Sequence, residues 1–283
     1  MQEINLVLKH LRLSALRFGN PDGPKVLALH GWLDNAASFK PLAEHLCEWD
    51  VVALDLAGHG HSEHRSADAH YHLLDWVQDI HEVLNVLGWS SCHMLGHSLG
   101  GIISSLYAAT FPQQVLSLTM IEAFGPLAMD PESSANQLRE SVLSRLAIDE
   151  KPARHPPNTA KAITARLLAG DLSKSSAQTL VERNLVQNDG VLMWRTDRRL
   201  RTISSLRLTE PQAQAFLGAI SCPVLVVTGE QGFEKVRNNV LKRRELVAQL
   251  VEASSPGGHH VHMDNPVAVA EHIRCFWQQV ASL

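Results

Sequence analysis

The sequence predicts an α/β protein: an open, mostly parallel sheet with helices on both faces. Three observations carry this reading. Short continuous runs rich in Val, Leu and Ile recur at residues 26–29, 51–54, 92–95, 115–121 and 224–227, as in strands buried on both faces. Helical stretches lie between them, and such alternation implies right-handed crossovers within one sheet. The composition, 45% hydrophobic and 19% charged, suits a sizeable core and excludes disorder and coiled coil.

Each element has its own signal. Residues 4–18 alternate like strands, with Ile4, Leu6 and Leu8 on one face and Leu11, Leu13, Ala15 and Leu16 following. That pattern predicts an edge hairpin with one wet face, ending in the turn Gly19-Asn20-Pro21-Asp22-Gly23. Residues 73–87 place Leu73, Leu74, Val77, Ile80, Leu84 and Leu87 along one stripe, stopped by Gly88. Residues 101–111 form a second helix, stopped by Pro112.

The alternation then lapses. Between residues 125 and 210 no comparable strand is expected, only helices separated by breakers. Leu138, Val142 and Leu146 share a face, and Pro152, Pro156 and Pro157 interrupt. Asn158 or Thr159 caps a helix carrying Ile163 and Leu167 that stops at Gly170. Ser173 caps another carrying Ala177, Leu180, Val181 and Leu185. The expected division is a core of residues 1–124 and 211–283 with a helical cap, or lid, at 125–210. An insertion after one strand leaves from the carboxyl ends of the strands, where ligands bind in such sheets.

Several classes are excluded. A net charge of −4, from 25 basic and 29 acidic residues without a Lys/Arg run, leaves no footprint for nucleic acid or an anionic membrane. No apolar stretch approaches the roughly 18–20 residues of a membrane span. The first residues, Met1-Gln2-Glu3-Ile4, lack a signal-peptide layout. Cys47, Cys92, Cys222 and Cys275 are widely spaced and read as buried thiols in a reducing compartment. The expected location is cytoplasmic.

The strongest chemical signal is Gly96-His97-Ser98-Leu99-Gly100, directly after one apolar run and before a helix. A G-x-S-x-G in this frame projects a nucleophilic serine from a tight turn, the two glycines letting strand and helix approach. A second signal, His30-Gly31-Trp32, ends an early strand. The amides of Trp32 and Leu99 would there form a two-donor oxyanion hole. The third is Gly257-Gly258-His259-His260-Val261-His262. A serine nucleophile needs a base, and His259, after the glycine pair and ahead of the final helix at Pro266, is the best placed. His260 and His262 are expected to be structural or solvent-facing.

These segments, with Asp55-Leu56-Ala57-Gly58-His59-Gly60-His61-Ser62 and Asp264-Asn265-Pro266, resemble the α/β-hydrolase superfamily over nearly the whole chain. The branch most similar is the serine-hydrolase-like proteins, whose layout is that of haloalkane dehalogenases with serine as nucleophile. The resemblance implies an eight-stranded sheet, a helical cap, a Ser-His-acid triad and no cofactor. It departs at the acid. The turn that carries aspartate in most relatives reads Gly229-Glu230-Gln231-Gly232 here. The candidates are Glu230 and Glu122, the latter at the end of the apolar run 115–121. A buried carboxylate is costly unless paired, which favours Glu122 as the triad acid, with a salt bridge to a cap arginine as the bland alternative.

The expected function is hydrolysis of an ester-like bond in a small molecule, of carboxylesterase type. Ser98 is the nucleophile, His259 the base and Glu122 the acid. Trp32, His97, Phe124 and Trp194 are the candidate pocket walls. Two rivals stand beside it. His59, His61 and His64 nearly spell the zinc run of metallo-β-lactamase-type hydrolases, although no metal is expected. A non-catalytic binding protein on the same fold is the other.

Overall fold

The structure, a computed structural model, describes residues 1–150 and 152–282. The chain opens with a hairpin, β1 (Gln2–Val7) and β2 (Arg12–Gly19), followed by β3 (Lys25–Leu29) and β4 (Asp50–Leu54). Strand–helix alternation then sets in: α1 (Leu73–Leu87), β5 (Cys92–His97), α2 (Leu99–Thr110) and β6 (Val115–Ile121). An insertion carries α3 (Ser134–Glu150), α4 (Thr159–Leu168), α5 (Lys174–Asn184), β7 (Leu185–Asn188) and β8 (Val191–Trp194). The chain closes with α6 (Glu210–Gly218), β9 (Val224–Gly229), α7 (Glu234–Arg243), β10 (Leu250–Ser255), α8 (Val261–Asp264) and α9 (Pro266–Ala281).

Eight strands form one sheet in the order β1-β2-β4-β3-β5-β6-β9-β10. β1 and β2 pair antiparallel, as do β2 and β4, and the neighbours from β4 to β10 run parallel. Successive residues of one strand feed opposite layers. Leu27, Leu29, Val52 and Leu54 pack with Trp76 and Ile80 of α1 and Ile103 and Tyr107 of α2. Val26, Ala28, Val51 and Ala53 pack with Phe39 and with Ile273 and Trp277 of α9. Both faces of the central strands are therefore dry, which is why their sequences run apolar without alternation.

The insertion departs from expectation at two points. Residues 185–194 form an antiparallel hairpin, its turn at Asp189-Gly190 with both φ angles positive, 48° and 79°; Leu185 belongs to it, not to the preceding helix. Leu138, Val142 and Leu146, which share a face of α3, are 52%, 46% and 63% exposed, so their shared face is not a core face. The caps were legible: Asn158 accepts from the Lys161 amide and Ser173 from that of Ser176. Of the four cysteines, only Cys92 is buried, and Cys47 and Cys275 are exposed, which corrects the expectation of buried thiols. No helix among the described residues is long and apolar enough to cross a membrane.

The insertion docks on loops that leave the carboxyl ends of the strands. Trp32 Nε1, beyond β3, donates to Leu200 O at 3.0 Å. Arg166 of α4 meets Asp34 at 2.8 Å. Arg183 of α5 meets Asp55, just past β4, at 2.6 Å.

Candidate active site

β5 delivers Ser98 to a turn that α2 leaves at once. Ser98 has φ 49° and ψ −114°, a conformation L-residues rarely adopt. Its amide donates to Ile121 O at 2.9 Å, fixing the turn to the neighbouring strand. A Cβ at Gly96 would collide with the backbone of Gly100 and Gly101, and one at Gly100 with the Leu29 carbonyl. Both glycines are thus required by close approach. Strain gathers here: Leu33, Ser98 and Glu122 all have positive φ, at 63°, 49° and 50°.

The loop beyond β3 is held from below. His30 is fully buried, and its Nε2 accepts the Leu56 amide at 3.0 Å. His59, also fully buried, accepts the Leu33 amide at 3.2 Å. Among the described residues, the amides of Trp32 and Leu99 donate to no protein acceptor.

Glu122 ends β6 almost completely buried, 1% exposed. Its Oε1 accepts the Gly229 amide at 2.8 Å, and its Oε2 accepts the Phe233 amide at 3.0 Å and meets His259 Nδ1 at 3.1 Å. No cap arginine among the described residues intervenes. Glu230 is exposed, and its backbone amide pairs with Ser255 O. A bond from His259 Nδ1–H to Glu122 leaves Nε2 as the free lone pair. Phe233 stacks on the His259 ring at 3.9 Å between centroids and 14° between planes. Ser98 Oγ makes no hydrogen bond to His259 here; such bonds are often long before substrate binds.

The remaining predicted residues fall differently. His97 and Phe124 are 0% and 1% exposed, so neither walls a pocket, contrary to expectation. His97 instead donates through Nε2 to His259 O at 2.9 Å, and Phe124 packs in the core. Trp194 sits in the hairpin opposite Leu185, and Trp32 is half exposed beneath the insertion.

The metal candidates diverge. Besides the bond to Leu33, burial pushes His59 down to about 3. His61 pairs with Glu3, and His64 donates to Arg195 O at 2.7 Å. Among the described residues, the one group whose ligating atoms converge is Asp34, His97 and His260. Its charges suit a salt-bridge network. Burial opposes a charge on His260, but Asp34 and Asp171 outweigh it and raise the ring to about 9. In the structure the two ring nitrogens of His260 face the carboxylates of Asp34 and Asp171, the arrangement of a salt-bridge network. Burial and the neighbouring imidazoles hold His97 well below the ordinary range. His260 and His262 are buried, hence structural and not solvent-facing.

Asp34, Asp171 and Phe233 were missed from sequence. Asp34 had a local signal, its place two residues after Trp32, whereas Asp171 and Phe233 reach the site only through contacts distant in sequence.

An eight-stranded sheet with a strained serine elbow and a buried carboxylate–histidine pair defines the α/β-hydrolase class. A profile of the alpha/beta hydrolase fold matches residues 24–266, and the chain belongs to that family. It is 28% identical to a serine hydrolase-like protein of Danio rerio over 92% of this chain and 83% of that one. A crystal structure of a hypothetical protein from Pseudomonas aeruginosa PAO1 superposes with TM-score 0.91 and 38% identity, covering 99% of both chains. The thioesterase domain from the curacin biosynthetic pathway gives TM-score 0.83 at 27% identity, covering 97% of this chain and 99% of that domain. The chain is thus similar to serine hydrolase-like proteins and is placed among hydrolases.

Proposed function

We propose that this hydrolase cleaves an ester-like bond in a small acyl substrate, as a carboxylesterase does, through Ser98, His259 and Glu122. The observation that carries this is the 3.1 Å contact between His259 Nδ1 and a Glu122 carboxylate fully engaged at the end of β6, beside a serine held at positive φ. Substrate binding closes the Ser98–His259 bond. Ser98 Oγ attacks the carbonyl carbon as its proton passes to His259 Nε2. Glu122 stabilises the imidazolium through Nδ1. The oxyanion is received by the amides of Trp32 and Leu99, which have no protein acceptor to give up.

Collapse breaks the bond to the leaving alkoxide, which takes the proton from Nε2 and departs as alcohol. Water, deprotonated by His259, then attacks the acyl-serine. The carboxylate product leaves and the proton returns to Ser98. Residues 125–210 act as the cap, and their docking over the strand ends makes them the source of acyl specificity.

The test is hydrolysis of p-nitrophenyl acetate. Ser98→Ala should lower kcat by about 10⁴–10⁶. A variant that retains the parent rate places the chemistry elsewhere. No detectable activity in the parent on short or long acyl esters would favour a binding protein on the same fold.

A further inference from the structure

The loop that carries His259 is held from the cap. Asp171 lies between α4 and α5, and its Oδ2 accepts the His259 amide at 2.5 Å while its Oδ1 meets His260 Nδ1 at 3.3 Å. On its other side, His260 Nε2 meets Asp34 at 3.1 Å, and Asp34 is in turn bound by Arg166 of α4. A cap carboxylate therefore holds the backbone of the proposed base, and the imidazole of His260 sits between a cap aspartate and a core aspartate.

Two further features fit this arrangement. A Cβ at Gly258 would fall on the Asp171 carboxylate, so the glycine before His259 leaves the room that Asp171 occupies. A few residues on, Asp264 of α8 accepts from Ser176 Oγ at 2.6 Å and faces the Ser173 amide at the N-terminus of α5. That terminus favours a negative charge. The loop and its short helix are thus tied to the cap at both ends, whereas on the core side the His259 ring is fixed by Glu122 alone among the carboxylates of the described residues.

We infer that Asp171 is a positioning residue that couples the seating of the cap to the assembly of the base. With the cap seated, the His259 backbone is fixed and its ring lies along the Glu122 contact. With the cap lifted, the amide of His259 and the ring of His260 lose a partner together, and only core contacts such as His97 Nε2 to His259 O and the Phe233 stack still restrain the base. Chemistry is thereby confined to the closed, water-poor state. The inference rests on the serine mechanism proposed above.

The full-length variants Asp171→Ala, Asp171→Asn and Gly258→Ala test it, with p-nitrophenyl acetate as substrate and a fluorophosphonate as a probe of Ser98 reactivity. A displacement of about 1 Å costs about 10²-fold in a positioned reaction. Asp171→Ala and Gly258→Ala should therefore lower kcat and the labelling rate by about that factor, with KM for this minimal ester nearly unchanged. Asp171→Asn, which keeps an oxygen for the His259 amide, should recover part of the loss. Circular dichroism identifies any variant that fails to fold, and only folded variants are compared with the parent. Folded variants with kcat and labelling rate equal to the parent's would overturn the positioning role while leaving the serine mechanism intact. A rise in KM at constant labelling rate would also overturn it, making Asp171 a substrate contact. A parent that does not label at Ser98 sinks the serine mechanism, and this inference with it.

Discussion

The carboxylate of Glu122 fills the space that a side chain at Gly232 would need: a Cβ there would overlap both of its oxygens. Position 232 is where the resemblance to relatives calls for an aspartate. In the proposed triad the acid is thus displaced in the chain yet placed near the same point in space, with the longer glutamate reaching from the end of β6. Gly232 is not among the glycines with positive φ, so a side chain is excluded by the carboxylate and not by the backbone.

A reciprocal exchange follows from this. Glu122→Gln should lower kcat by roughly 10²–10⁴, while Glu230→Gln, at an exposed position, should change little. Gly232→Asp alone should impair the enzyme by crowding Glu122. The double variant Glu122→Ala/Gly232→Asp should exceed both Glu122→Ala and Gly232→Asp in kcat, a coupling that double-mutant analysis isolates. Additive losses would break the spatial equivalence of the two positions.

His260 makes a pH-dependent contribution to stability. It faces Asp34, Asp171 and Arg166, with the rings of His97, His259 and His262 nearby. The ring is raised to about 9 against about 6.5 unfolded. Its contribution to stability is therefore full below about 6.5 and lost as pH rises through about 9. Thermal melts across this interval should show Tm falling toward alkaline pH. Asp171→Asn, which removes one of the two raising carboxylates, should flatten that fall and move it to lower pH. An unchanged profile would show that Asp171 does not hold the proton on His260.

Arg183 ties the insertion to the core through Asp55, with both side chains buried at 6% and 0% exposure. Removing one partner of a buried pair costs about 3–5 kcal/mol. Arg183→Leu should lower the denaturant midpoint accordingly, since it leaves Asp55 uncompensated; a loss under about 1 kcal/mol would mean that water replaces the guanidinium.

Activity should survive dialysis against a strong chelator, because the serine mechanism uses no metal and His260 is engaged by Asp34 and Asp171. Activity that vanished on chelation and returned with zinc would revive the metallohydrolase reading of the histidines.

How far the sequence could be read follows from the physics of each signal. Strands buried on both faces announce themselves as apolar runs, and the Ser98 elbow has a local pattern because its constraints are local. Glu122 was legible for a related reason: a charge ending an apolar run needs a partner. The hairpin at 185–194 was not legible, because four-residue half-buried strands leave no period to detect. The stripe Leu138, Val142 and Leu146 has helical spacing, but spacing reports a face and not what covers it. Asp171 lies 88 residues from His259 along the chain, so its role arises only from how the cap docks. His97 reads as a pocket wall because adjacency to Ser98 is visible in sequence, whereas its turn into the histidine cluster is not.

Peptide mapping after fluorophosphonate treatment tests the serine mechanism most directly. The expected result is a single modified peptide carrying the label on Ser98, with labelling slowed by Glu122→Gln and by His259→Gln but not by Glu230→Gln. A label on any other residue, or an unmodified protein that still hydrolyses esters, would contradict it.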